Sequence, residues 1–393
     1  MLDELKLWQM LEQQREKLLA DFESSANRDL RYDEMMEEVQ GLTEEEFEKK
    51  LGGSTSSARP VDWDNPLAFF DLPFESVRDA KGWALDQLED TIVLAVDGSQ
   101  VYPSKVLTFP LSLVQAGYFQ MTYPPAFPAV SAELAFDSQL EIILPFDEDN
   151  ISLPPKRGEI NLRRQILEIK YATQQVESLP PEKEVLLLID GTFIYSYLEG
   201  ATLDVKKEVI APLLNLFERC KELNIYPVAY IDTSAAKDMS YLLHQLNGVD
   251  KKIIPPQDAQ ILQPFMENLG TYCSPWLSQR KVLTAYHDET QDLNYREQVC
   301  FAYLRANSKR PIRLEFPKFI YDNEKFPRMV ELVLAKALLG DGYPHVLTRA
   351  HQVAVIGSED QRKFHAYSLV YLRDVLNLPV DEAIKEQFKH QFT

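Results

Sequence analysis

Two apolar runs in this chain of 393 residues stop at the same kind of residue pair. TIVLAV, residues 91–96, meets Asp97-Gly98-Ser99, and EVLLLI, residues 184–189, meets Asp190-Gly191-Thr192. An aspartate at the carboxyl end of a buried strand sits at the mouth of the crevice where α/β proteins bind ligands. The glycine after it lets backbone or ligand approach closely. Two such carboxylates on neighbouring strands would make a hard-oxygen site suited to Mg²⁺ or Mn²⁺. Asp-Gly is also a favoured turn pair, so each aspartate could instead do no more than open a turn.

A third carboxylate, Glu168, falls within residues 159–178, which the spacing predicts as a helix. Leu162, Ile166, Ile169 and Val176 make one apolar stripe, Ile160, Leu167 and Tyr171 another, and Glu168 lies between them. A carboxylate sheltered in that way needs a cation or hydrogen bonds. Arg164, one turn earlier, could meet the need as a salt bridge without any metal. GYPHVLTRAHQVAVIG, residues 342–357, reads as a turn at Tyr343-Pro344 followed by a helix that buries Leu347, Ala350 and Ala354, with His351 beside that stripe. A neutral imidazole can ligate Mn²⁺ or move protons near neutral pH, and it can equally be a structural side chain. No HExxH, GxSxG, Walker-type or CxxC pattern occurs.

The elements needed to position these groups are legible to different degrees. Residues 1–50 read as helices, with Leu2, Leu5, Trp8, Leu11, Leu18 and Leu19 at helical spacing. Residues 51–66 are rich in Gly, Ser and Pro, as a linker would be. Each of the two Asp-Gly pairs is expected to stop its strand in a turn. Segments 105–121 and 132–145 alternate like strands of an antiparallel meander, and the predicted helix follows the Pro154-Pro155 breaker. A helix at about 204–223, a strand at 226–231 and a helix at about 235–246 come next, then weaker strands at 281–287 and 311–315, and helices from about 325 onward. Strands first, then strands alternating with helices, predict an α/β domain around a mixed sheet. The expected organisation is an acidic helical extension (1–56), a linker (57–85) and a main domain (86–393).

Composition limits what such a domain can be. Hydrophobic residues make up 45% and charged residues 26%, the balance of a folded globular chain. No run approaches the ~20 apolar residues that span a bilayer, and MLDELKLWQM is unlike a signal peptide. Three well-separated cysteines, Cys220, Cys273 and Cys300, predict neither a disulfide framework nor a zinc knot, and the cytoplasm is the expected compartment. The net charge of −20 is awkward for a protein that grips phosphates. The acid is uneven, however: residues 1–50 have a net charge of −8, and residues 301–393 a net charge of +3. Arg305, Lys309, Arg310 and Arg313 cluster there, either as a solvated loop and strand start or as a DNA contact.

Taken in order, VLAVDGSQ, Glu168 in NLRRQILEIKYA, LLLIDGTF and YPHVLTRAH resemble the NurA family of DNA-end-processing nucleases over roughly residues 88–365. The last stretch is the most specific, since it matches the family's Tyr-Pro-x-x-Leu-x-x-Ala-His run in content and spacing. The resemblance implies a ribonuclease-H-like core and a homodimer. It further implies 5′–3′ exonuclease and single-strand endonuclease activity in double-strand break repair, dependent on Mn²⁺ or Mg²⁺ with two ions per site, and a HerA-type hexameric translocase as partner. Carried over residue by residue, Asp97, Glu168 and Asp190 match the acidic metal ligands, His351 the metal-proximal histidine and Tyr343 the active-site tyrosine. Arg164 then becomes a candidate for phosphate contact, together with Arg305, Lys309 and Arg310. Two other readings remain open: an actin-like or sugar-kinase-like ATPase using the two Asp-Gly loops, and an inactive adaptor docked on a translocase.

Overall fold

A computed structural model describes every residue except 1–2, 20–29, 73, 75, 104–108, 110, 145–155, 308 and 381–393. Leu2, the start of the strand expected at 105–121, the Pro154-Pro155 breaker and the last residues of the helical end lie outside the described residues.

The architecture is mixed α/β, with a large mixed sheet flanked by helices. The N-terminal part begins with helices α1 (Glu4–Gln13), α2 (Tyr32–Gln40) and α3 (Glu44–Leu51), then short strands β1 (Ala58–Pro60) and β2 (Phe69–Phe70) and helix α4 (Val77–Gln87). The expected linker is therefore built into the domain. Ala58 is fully buried and β1 pairs antiparallel with β9 (Trp276–Ser278), while β2 pairs with β8 (Tyr272–Cys273). These partners lie more than 200 residues away, so nothing local in the Gly- and Ser-rich sequence announces them.

The centre of the sheet positions the candidate site. Strands β3 (Thr91–Val101), β4 (Ser112–Thr122) and β5 (Glu133–Ile143) form the antiparallel meander. Helix α5 (Arg157–Glu177) leads to β6 (Glu184–Asp190), parallel to β3, and helix α6 (Leu203–Glu222) leads to β7 (Tyr226–Ile231), parallel to β6. The spatial order β5-β4-β3-β6-β7 is the ribonuclease-H-like arrangement. The sheet continues through two further strands and β9 to β1; a small hairpin, β10 (His287–Asp288) with β11 (Leu293–Asn294), stands apart. The two continuing strands are β12 (Val299–Leu304) and β13 (Ile312–Pro317). The weak strand expected at 281–287 is instead a 3-10 turn, Lys281–Ala285, that buries Val282, Leu283 and Ala285.

Alternation along β3 divides the core. Ile92, Leu94 and Val96 pack with α5 and α6 on one face, whereas Val93 and Ala95 belong to the core of the other. That second face holds α7 (Asp238–Leu246), α8 (Phe326–Leu339) and α9 (His345–Ala354), and α10 (Ser358–Val370) follows with no buried residue. Among the described residues no helix is long and apolar enough to cross a membrane.

Candidate metal centre

The parallel ladder between β3 and β6 ends at Val96 opposite Ile189. Asp97 and Asp190 are the next residues on each strand, so they stand side by side at the first rung beyond the ladder. Asp190-Gly191 turns as expected, with Gly191 at a φ of 119° and its N–H donated to Tyr230 O. Asp97-Gly98 does not turn, because β3 runs on to Val101 paired with β4. Asp97 is therefore held rigidly in mid-strand, flanking the notch left where β6 stops.

Parity fixes the faces. Asp97 follows Val93 and Ala95 towards α9, and Asp190 follows Leu186 and Leu188 to the same side. Glu168 reaches the notch from the opposite face, on α5. Gly98 makes room for it: a Cβ there would stand 2.9 Å from Glu168 Oε2 and 3.0 Å from Arg164 Cγ. Gly117, paired with Asp97 across β4, has the matching role for α9, since a Cβ would come within 2.7 Å of Ala354 N. With both glycines bare, helices on both faces close on one rung of the sheet.

Each carboxylate has one principal protein partner. His351 Nδ1 lies 2.7 Å from Asp97 Oδ2, although the imidazole itself is largely exposed. An Nδ1–H donated to the ionised carboxylate leaves Nε2 with its lone pair, the state in which an imidazole ligates metals. Tyr343 donates its hydroxyl to Asp190 Oδ2 at 3.1 Å. Arg164 Nη1 donates to Glu168 Oε2 at 2.8 Å, the i,i+4 pair expected from the helix. Glu168 is only 5% exposed, and burial pushes its carboxyl up to about 8 despite Arg164, with Asp97 and Asp190 raising it further. Desolvation also raises Asp190, against the Tyr343 hydrogen bond that lowers it. The charge of Asp97 thus opposes ionisation of both Glu168 and Asp190, and these two carboxylates line a crevice of about 560 Å³ together with Gly98, Arg164 and Tyr195 among others.

Among the described residues, no three His, Cys, Asp or Glu side chains stand close enough together to hold an ion as placed. The donor set nevertheless fits a hard divalent cation. It offers three carboxylates and one imidazole, and the most buried carboxylate has a single cationic partner.

The remaining residues expected from the sequence fall outside this group. Arg305, Lys309 and Arg310 occupy the loop after β12, which runs parallel to β7, so the loop lies at the sheet edge where β6 and β7 also end. Asn307 ties that loop to Gly342 O, beside Tyr343. Arg305 donates to Lys309 O and Arg310 to Gln257 Oε1, and none of the three touches a carboxylate of the notch. Arg313 leaves the basic cluster altogether: it is 2% exposed and paired with Asp238 and Glu315.

Two residues were missed. Asp232 follows β7 directly and raises both Asp190 and Tyr343 through its charge. Its signal was present, since AYIDTS repeats the pattern of an apolar run, aspartate and a small residue. Glu315, buried on β13, accepts from Thr192 Oγ1, Phe193 N and Ile194 N, and so pins the loop behind Asp190. Nothing in its local sequence marks it.

No curated protein matches the sequence. Solved structures similar to the chain include the C-terminal lobe of a budding yeast Argonaute (12% identity, TM-score 0.28, covering 72% of this chain and 49% of that one). Drosophila Piwi is similar at 10% identity and TM-score 0.27, covering 67% of this chain and 29% of its own. Kluyveromyces polysporus Argonaute with a guide RNA is similar at 11% and 0.24, covering 72% and 30%. The chain spans less than half the length of each. A family model of the NurA domain matches residues 91–356, about two thirds of the chain, and takes in the three carboxylates of the notch and the partner of each, so the chain belongs to the NurA family.

Proposed function

We propose that the chain is a metal-dependent DNA nuclease and that Asp97, Glu168, Asp190 and His351 hold its ions. One observation carries this reading: three carboxylates from three separate elements face one rung of the sheet, where Glu168 is buried beside a single guanidinium. Divalent ions bound there, Mn²⁺ or Mg²⁺ and two per site, would neutralise phosphate charge and acidify a water. The chain's own groups supply the rest. Arg164, paired with Glu168 here, would be free to reach a phosphate oxygen if a bound cation took over that carboxylate. Tyr343 offers its hydroxyl as a donor at the notch, and His351 is oriented by Asp97. Arg305, Lys309 and Arg310 line the same sheet edge and meet the backbone of the strand.

Family membership supports the finer reading. On that reading we propose that the chain degrades DNA 5′–3′ from ends, cuts single strands internally, acts in double-strand break repair in the cytoplasm and works with a HerA-type hexameric translocase. The same proposal has it do so as a homodimer. The ATPase alternative loses its first phosphate loop, because residues 98–101 are strand.

The test is digestion of linear single- and double-stranded DNA with Mn²⁺, against an EDTA control. Asp97→Ala and Asp190→Ala should abolish degradation while melting within a few degrees of the parent. Wild-type digestion by either variant rejects the assignment.

A further inference from the structure

The end of β4, the loop after it and the start of α9 enclose a second cavity, of about 490 Å³, on the α8/α9 face of the sheet. Phe119, Tyr123 and Phe127 give it aromatic walls, and Met121 and Leu339 add apolar surface. Lys336 of α8 also lines it, and this lysine is only 2% exposed. Its Nζ donates to Tyr123 Oη at 2.5 Å and lies 3.3 Å from Met121 Sδ and 5.2 Å from the centre of the Tyr123 ring. Among the described residues no carboxylate pairs with it. Burying an ammonium without a counter-ion is costly, and burial alone draws its pKa down to about 8, so it remains mostly charged at neutral pH.

The mouth adds a guanidinium and an imidazole. His345 and Arg349 are one turn apart on α9, share a face, line the cavity and are exposed. A cavity with aromatic walls, an uncompensated cation inside and a guanidinium and an imidazole at its rim complements an anion carried on a flat ring. Small-molecule sites have this character, apolar walls with a few convergent polar groups. Choosing among ring-bearing anions rests on the nuclease reading, which makes nucleotides the ones at hand.

We propose that this cavity binds a single nucleotide unit, its base against Phe119, Tyr123 and Phe127 and its phosphate among Lys336, His345 and Arg349. The site lies beside the notch. Met121 is four residues along β4 from Gly117, which faces Asp97, a separation of ~13 Å at the usual rise of a strand. Helix α9 carries both the rim of the cavity and His351. The nucleotide could be a free mononucleotide or the unpaired terminal unit of a strand whose next phosphates reach the notch.

The experiment uses the full chain in EDTA, so that no metal draws phosphate to the carboxylates. Thermal shift and equilibrium dialysis are run with dAMP, thymidine monophosphate, adenosine, deoxyribose 5-phosphate, octanoate and a phosphorylated trinucleotide. The two mononucleotides, the trinucleotide or all three should raise the melting temperature, and adenosine and sugar phosphate should not. Lys336→Met and Arg349→Ala should each weaken binding at least tenfold. Lys336→Met removes a buried charge and should itself fold more stably, so its loss of binding is not unfolding. Asp97→Ala should bind nucleotide as the parent does, whatever its activity, which separates failure of this site from failure of the metal centre. Tighter binding of the trinucleotide assigns the site to a strand terminus; equal binding assigns it to the free nucleotide. No shift with any nucleotide, unchanged binding by Lys336→Met, or a larger shift with octanoate than with dAMP overturns the proposal.

Discussion

At the scale of single residues, the site depends on side chains that are missing as much as on those present. Gly117 lets the last turn of α9 lie against β4 opposite Asp97, and a methyl group would meet Ala354 N at 2.7 Å. Gly117→Ala should push α9 outward, cost roughly 1–3 kcal/mol and part His351 from Asp97. A lower melting temperature with at least a tenfold slower cleavage is expected, and an unchanged rate would show that this contact does not place the histidine. A second prediction concerns Lys336. Its pKa is about 8 when folded against 10.5 when free, so between those values the unfolded chain holds more protons and stability should rise with pH. Below about 8 both states are protonated and the full cost, about 3 kcal/mol, is present. Lys336→Met should therefore be the more stable protein at pH 7 and lose the rise between pH 8 and 10.5, as denaturant titrations at several pH values would reveal. The notch itself was largely legible: both aspartates, Glu168 with Arg164, and His351 all carried signals. What the residues did not disclose is that one Asp-Gly pair turns and the other runs straight, because pairing with β4 decides it.

At the scale of elements, legibility follows the range of the interactions. Strands β3, β6 and β7 and helices α5 and α6 are dictated by local apolar runs and helical spacing, and they appear close to where the sequence puts them. Strands β1 and β2 form only against partners more than 200 residues away, and β8, β9 and β12 were not foreseen either, although β12 makes a hairpin with the nearby β13 that the sequence did place. Strand β13 shows the physical difficulty. It carries Arg313 and Glu315 in a fully buried run, and the arginine reads as part of a basic patch until its partners are known. In the fold Arg313 serves Asp238 at 3.0 Å and Glu315 at 2.8 Å and stacks on Phe301 at 3.9 Å, and Asp258 lies 3.9 Å away. Removing one member of a buried ionic group costs more than the group itself contributes, because the remaining charges stay buried. Arg313→Met should destabilise the protein by roughly 3–5 kcal/mol. It should also loosen the loop held by Glu315 behind Asp190. Faster amide exchange at Phe193 and Ile194 would report that loosening, and protection equal to the parent's would show that Glu315 holds the loop unaided.

At the scale of the whole molecule, the charge of −20 and the edge of the sheet bear on one question, how the chain would meet the DNA proposed as its substrate. Residues 1–50 carry a net charge of −8, whereas residues 301–393, which bring Arg305, Lys309 and Arg310 to one sheet edge, carry +3. A second copy would double that basic edge without altering either chain. Strand β5 is suited to bring one in. It ends the sheet, pairs only with β4 among the described residues, and leaves its other edge of backbone donors and acceptors open. Leu134, Phe136, Leu140 and Ile142, each more than half exposed, share one face of it. Long apolar edges of this kind promote association unless they are covered. The row is also symmetric about Ser138: in an antiparallel pair of β5 strands, Leu134 would face Ile142 and Phe136 would face Leu140, the self-complementarity that a two-fold interface requires. Joining the copies there would make one continuous sheet with a notch in each half. Cys220, Cys273 and Cys300 are all buried, so Ser138→Cys introduces an exposed thiol into a background of sheltered ones. Mild oxidation or a short bis-maleimide should link two Ser138→Cys chains in high yield at micromolar protein, and Phe136→Asp in the same chain should suppress the link and shift the parent's sedimentation towards the monomer. A dimer that sediments normally yet never links through position 138 would place the two-fold axis elsewhere and leave β5 to another partner.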